Sequence, residues 1–431
     1  MLEPPKKLFP LFFLLGFGLI LPWNVFLNFI ALFSQNFPPG NRYPFLCPLA
    51  FNSPQLAAQL LFLGLGRRIP PSILLTSGFI CQSILLACLP LLAHYLTLTL
   101  LLNFFSGLST AIVESALFGA CANFSAKDSK LTVRAAFMGE GMAALIANLI
   151  QIILNADPPS TVQAQENLTL GYCIAAAFVT GLCALLAPYA LHLGGGAARE
   201  DQRVHQDGAL SKPLLLELIT EARVQEEMEK PKLELAGDPT PALLPVLSRA
   251  FRVLKSCWTT CCAVFFAMFF SFLVFPGEVS NSPFVGRDSG YFTTHQPMWT
   301  LILYLTFNLG DLVGRWAAGV EAISPKSGVG ILLYSLSRAT LPLLFYALAV
   351  ARRHEVGSLQ GGEGAPLALN VGIVVLCVTH GATNGHAATL AMMHGPTAVA
   401  PEDRGVAAVL HVLMLITGLW AGSAAGLVFA D

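Results

Sequence analysis

Charge is what this sequence has least of. Lysine, arginine, aspartate and glutamate make up 11% of its 431 residues, under half of the roughly 25% carried by a soluble domain. A formal net charge of −1 gives no basic surface for nucleic acid. The ten cysteines form no C-x-x-C pair, which excludes the usual zinc spacings and a disulfide framework. Several, such as Cys81, Cys88, Cys183 and Cys377, lie inside apolar runs. Cys257, Cys261 and Cys262 open another run and read as small packing residues, so no metal or cofactor is expected. H-E-x-x-H and G-x-S-x-G are also absent, and no nucleophile–base constellation points to an enzyme.

What fills the chain is apolar sequence, 55% hydrophobic with a mean hydropathy of +0.66. A membrane span needs about 20 mostly apolar residues. Such runs lie near 8–33, 44–66, 71–93, 96–124, 135–155, 170–193, 254–276, 297–320, 327–350, 366–394 and 405–429. The first is too long for the apolar part of a cleavable signal. The runs do not alternate as barrel strands do, and backbone in lipid must satisfy its own hydrogen bonds. The expectation is an all-α polytopic membrane protein of eleven transmembrane helices.

With the N-terminus in the cytoplasm, the loops at 67–68, 127–134, 194–253, 326 and 404 all fall inside with their lysines and arginines. Only Arg42, Arg287, Arg352 and Arg353 fall outside, a bias that sets orientation and places the C-terminus outside. The sequon Asn167-Leu168-Thr169 then sits in an external loop, open to glycosylation. Residues 194–253, opening with Gly194-Gly195-Gly196, read as a flexible cytoplasmic linker. They divide a six-helix half (1–193) from a five-helix half (254–431). Within the linker, Pro213 to Val224 has the apolar spacing of a short helix, either lying on the membrane or simply solvated.

Ionisable residues inside spans are costly and so are candidates for function. Glu114, Glu140, Asp311 and Arg315 stand out. Asp311 and Arg315 are four apart and share a helix face, as a pair that joins helices or as a clamp that re-pairs during a transport cycle. Glu114 is flanked by small residues that allow close packing. Glu140, in Gly139-Glu140-Gly141 near a span end, can instead reach water. Histidines gather late, at His380, His386, His394 and His411. As buried packing residues or as proton carriers, they join Glu114 and Glu140 among candidate charge sensors, with His386 foremost.

Several motifs together resemble the equilibrative nucleoside transporter family. Gly16-Phe17-Gly18 leading to Leu21-Pro22-Trp23-Asn24 is similar to its first-span signature. Arg68-Ile69-Pro70 resembles its turn between spans two and three. Phe307-Asn308-Leu309-Gly310-Asp311-Leu312-Val313-Gly314-Arg315 resembles its eighth-span motif. Phe275-Pro276, Thr383-Asn384-Gly385 and Gly395-Pro396 follow in order. The resemblance implies a 6+5 pseudo-symmetric bundle similar to the major facilitator fold, working by alternating access around a central site. The site residues it implies are Trp23, Asn52, Gln55, Glu114, Asp311 and Arg315. Trp23 offers a flat face to a nucleobase, and the amides and carboxylates can bond base edges or ribose hydroxyls.

The departures from the pattern bear on cargo. Glu114 and Glu140 stand where the family usually has amides, and His386 stands where it has tyrosine. Asn52 and Gln55 replace residues that are apolar in human members. A nucleoside or nucleobase carrier working by facilitated diffusion, with possible proton influence, is therefore expected alongside an alternative: an organic cation or monoamine carrier of the same fold. Either would act as a monomer on a small molecule in a lipid bilayer, by default the plasma membrane.

Overall fold

The computed structural model describes residues 4–28, 43–65, 69–92, 95–156, 162–209, 243–282, 284–285, 292, 296–357 and 365–428. Among them no strand occurs. The helices are α1 (Pro4–Leu19), α2 (Leu21–Asn28), α3 (Tyr43–Leu65), α4 (Pro71–Leu92), α5 (Leu96–Ala122), α6 (Ala126–Ala156), α7 (Val162–Ala209), α8 (Leu243–Phe272), α9 (Gly277–Ser280), α10 (Gln296–Ala317), α11 (Gly328–Ser337), α12 (Thr340–Gly357), α13 (Ala365–His394) and α14 (Arg404–Val428).

Nine helical segments among the described residues are long and apolar enough to cross a membrane. The two expected spans outside that set are α3 and α10, which are helical but interrupted by polar side chains. α3 carries Asn52, Gln55 and Gln59, and α10 carries Asn308, Asp311 and Arg315. These are the helices that bring polarity into the bundle.

The spans break or kink at three places. The first span divides between α1 and α2 at Ile20, just ahead of Pro22, which has no N–H and whose ring clashes with the turn before it. The Leu19 carbonyl at the end of α1 accepts instead from the Gln82 side chain of α4 at 3.3 Å. The ninth span divides between α11 and α12, with Arg338 as the residue that ends α11. α8 kinks at Cys257.

Close packing is set by small residues. Gly310 and Gly314 on α10 face Gly381 and Gly385 on α13, both as G-x-x-x-G, the spacing that lets helix backbones touch in lipid. A Cβ on Gly314 would lie 2.0 Å from the Ala382 carbonyl oxygen, and one on Gly385 would lie 2.0 Å from that of Asp311. α1 packs on α6, α4 on α7, α3 on α5, and α8 on α14. The N- and C-terminal groups meet mainly where α6 touches α10 and where α14 touches α3 and α5.

Three expectations are corrected. α7 runs unbroken through Gly194-Gly195-Gly196 to Ala209, so these glycines do not open a loop. Asn167 is exposed but lies on α7 rather than in a loop, with Thr169 turned inward. Arg352 is no loop cation: α12 continues past it, it is 1% exposed, and its Nη1 donates to the Leu369 carbonyl at 3.1 Å and Asn370 Oδ1 at 3.2 Å. The Pro213 to Val224 segment, Arg42, Arg67, Arg68 and Arg287 lie outside the described residues.

Candidate functional site

A cavity of about 120 Å³ lies between the two groups of helices. All six residues singled out from the sequence line it: Trp23, Asn52, Gln55, Glu114, Asp311 and Arg315. Glu140 does too. The helix break before Pro22 aims Trp23 inward, and α3 and α5 add one polar wall while α6, α10 and α13 add another.

Aromatic side chains from both groups cover one end. Trp23 stands 5.2 Å from Phe51 and 6.3 Å from Phe272. Phe272 leads to Phe275, which stacks on Phe307 at 4.2 Å and 10°. The other end is ionic. Arg315 Nε donates to Asp311 Oδ2 at 2.5 Å, and its Nη1 donates to Glu140 Oε2 and to the Phe137 carbonyl, both at 2.7 Å. Its guanidinium also lies 5.0 Å from the Phe137 ring. The expected Asp311–Arg315 pair is present, and it reaches across to α6. Glu140 does not turn to water: it is buried and committed to Arg315. Asn308 and Asn148 add a second bond between α10 and α6.

The opposite wall is less satisfied. Gln55 Nε2 donates to Asn52 Oδ1 and to the Phe51 carbonyl, both at 3.3 Å, and the Asn52 amide nitrogen has no partner among the described residues. Glu114 is 7% exposed and lines the cavity, and the hydrogen bonds and ion pairs of the described residues do not include it. The next residue, Ser115, donates to Gln59 Oε1 at 2.5 Å. Ser115 also lines a second cavity of about 410 Å³, at the end of the bundle where α14 begins, with Phe62, Leu74, Gly119, Glu402 and Val406.

The histidines do not join the cavity. His386 contacts Ser324 at 3.2 Å and the Tyr334 ring. His380 lies between Phe307 and Phe345. His411 completes, with Cys257 and Cys261, a buried cluster whose possible ligand atoms all lie within 4.8 Å of one another, a convergence that spacing along the chain did not show. Its two ring nitrogens already contact the Ala407 carbonyl at 2.7 Å and Thr260 Oγ1 at 2.8 Å, which ties α14 to α8. Two residues of weight were not read from the sequence. Asn384, seen only as part of a motif, donates to Asp311 Oδ1 at 2.8 Å. Arg338 is the second, and an arginine inside an apolar run is the same signal that marks Arg315.

Two groups of helices enclosing one polar cavity in an apolar bundle define a multi-pass membrane protein of the major facilitator architecture. A solved bacterial homologue of the human lysosomal transporter Spinster, inward-facing and unoccupied, shares that fold. It matches with a TM-score of 0.51 at 14% identity, over 99% of this chain and 82% of that one. The chain belongs to the nucleoside transporter family, whose profile matches residues 100–430. It is 23% identical to rat equilibrative nucleoside transporter 3, across 96% of this chain and 86% of that protein. It is 22% identical to human equilibrative nucleoside transporter 2, across 97% and 95%.

Proposed function

We propose that the protein moves nucleosides or nucleobases across a membrane by alternating access around the central cavity. The observation that carries this is the convergence of Trp23, Asn52, Gln55, Glu114, Asp311 and Arg315, drawn from both groups of helices, on one cavity. A base would stack on Trp23, with its edges and the ribose hydroxyls bonded to Asn52, Gln55, Glu114 and Asp311. The aromatic cover and the Arg315–Glu140 bridge would act as alternately opening contacts between the halves 1–193 and 254–431. The larger cavity beside Ser115 favours access from the end where α14 begins. In this reading eleven spans put the N-terminus in the cytoplasm and the C-terminus outside, in the plasma membrane, and the carrier works as a monomer with a glycan at Asn167.

Glu114 favours a second reading, in which the cargo is an organic cation. A carboxylate with no hydrogen-bond or ion-pair partner among the described residues, beside a low-dielectric cavity, attracts positive charge, from a protonated amine or from a proton that accompanies the nucleoside. Glu140 is poorly suited to select a cation because Arg315 already answers it. Saturable uptake of radiolabelled adenosine, uridine or hypoxanthine into proteoliposomes, with a monoamine in parallel, tests the choice. Saturable flux of a monoamine alone would replace the first reading with the second.

A further inference from the structure

Among the described residues, Arg338 is an intramembrane cation with no carboxylate against it. It is 2% exposed, and among the described residues its partners are all neutral. Nε donates to Thr383 Oγ1 at 3.1 Å, Nη2 to Ser271 Oγ at 2.7 Å and to the His380 carbonyl at 3.3 Å, and Nη1 to the Ala267 carbonyl. A buried ion needs its charge answered as well as its hydrogen bonds filled. The answer lies further along the same network. Ser271 Oγ donates to Asn384 Oδ1 at 2.7 Å, Asn384 Nδ2 donates to Asp311 Oδ1 at 2.8 Å, and Asp311 and Glu140 share Arg315. The chain of bonds runs from α11 through α8, α13 and α10 to α6. It holds two guanidinium groups and two carboxylates and so carries no net charge.

We propose that Arg338 is a positioning residue for the cavity acid Asp311, acting through Ser271 and Asn384, and that its charge is offset by Glu140 at the other end of the same chain. The arrangement gives a reason for an acid at position 140: an amide there would leave the buried chain with one positive charge too many. The orientation of Asn384 follows as well. Ser271 already donates to its oxygen, so its amide hydrogens are free for Asp311, and Asp311 is held at one oxygen by Asn384 and at the other by Arg315.

A double-substitution cycle separates this from simple helix bonding. The full-length protein in proteoliposomes would carry Arg338→Gln, Glu140→Gln, both together, or Arg338→Lys, with nucleoside counterflow and the thermal unfolding midpoint measured for each. Arg338→Gln leaves the chain one negative charge in excess and Glu140→Gln one positive, whereas the pair restores neutrality. Each single change is expected to slow maximal flux about ten-fold or more, and the pair to recover several-fold over the worse single, a coupling of the size seen within one charge network. The midpoint should follow the same order, and Arg338→Lys should lie nearer wild type than Arg338→Gln. A double variant as impaired as the product of its singles, in flux and in midpoint, would overturn the proposal. The flux arm rests on the proposed function and the unfolding arm does not. A wild type that moves no nucleoside would therefore sink that reading while the midpoints still decide this one.

Discussion

The two polar walls of the cavity are built from similar residues and left in opposite states. On the wall of α6, α10 and α13, acids and amides are bonded to Arg315, to Asn384 or to one another. On the wall of α3 and α5, neither the Asn52 amide nitrogen nor the cavity-lining Glu114 has a hydrogen-bond partner among the described residues. A saturated polar network in low dielectric is rigid, whereas unpaired groups are costly until something binds them. The first wall is thus suited to hold the two helix groups in register, and the second to read a ligand. Glu140 and Glu114, both acids where the resemblance implies amides, differ most: the one the sequence sends to water is bonded to Arg315, and the other lines the cavity.

Changes to the saturated wall should be the most severe. Arg315→Met would leave two buried carboxylates without their cation, and breaking a buried pair on one side costs about 3–5 kcal/mol. The unfolding midpoint should fall steeply and flux should vanish, with Arg315→Lys intermediate. Next is the packing that carries this wall. Gly314→Ala sets a methyl against the Ala382 carbonyl, and overpacking of this kind costs about 1–3 kcal/mol, measurable as a lower midpoint and slower flux.

Changes to the reading wall should alter affinity more than stability. Trp23→Ala removes the stacking face, worth about 1–3 kcal/mol per base where bases stack on aromatic rings. KM for nucleosides should rise accordingly, while the midpoint shifts less than for Gly314→Ala. The smallest effect belongs outside both walls. His386 is buried against Ser324 and Tyr334 but does not line the cavity, and a glutamine keeps a polar group to bond Ser324, so His386→Gln should leave flux and its response to a pH gradient within about two-fold. A flat pH response in that variant alone would move proton sensing from Glu114 to His386.

The ionic wall was half legible in the sequence. Asp311 and Arg315 announce themselves by spacing on one helix, but the reach of Arg315 to Glu140 and Phe137 depends on how α10 meets α6, which no local pattern encodes. Arg338 carries the same mark as Arg315, an arginine inside an apolar run, but no acid shares its helix face to point to its role. The G-x-x-x-G pairs at Gly310/Gly314 and Gly381/Gly385 are plain in the text of the chain, yet only their facing each other shows why Asp311 and Asn384 meet. Apolar length located the helices well. It misread Gly194-Gly195-Gly196, because a helix already nucleated by a long apolar span continues through glycines at a modest cost per residue. It also could not show that Cys257, Cys261 and His411 converge.

Glu114 is the acid proposed to meet the cargo, and substrate competition tests that role most directly. Wild type and Glu114→Gln would be reconstituted side by side, with saturable adenosine flux measured against competing uridine and a competing protonated amine, with and without a pH gradient. The account predicts saturable adenosine flux in both. In Glu114→Gln, competition by the amine and the response to the gradient should fall by about ten-fold or more, the scale of a lost hydrogen bond to a charged group, with the unfolding midpoint nearly unchanged. A Glu114→Gln variant that matches wild type in affinity, competition and pH response would contradict it.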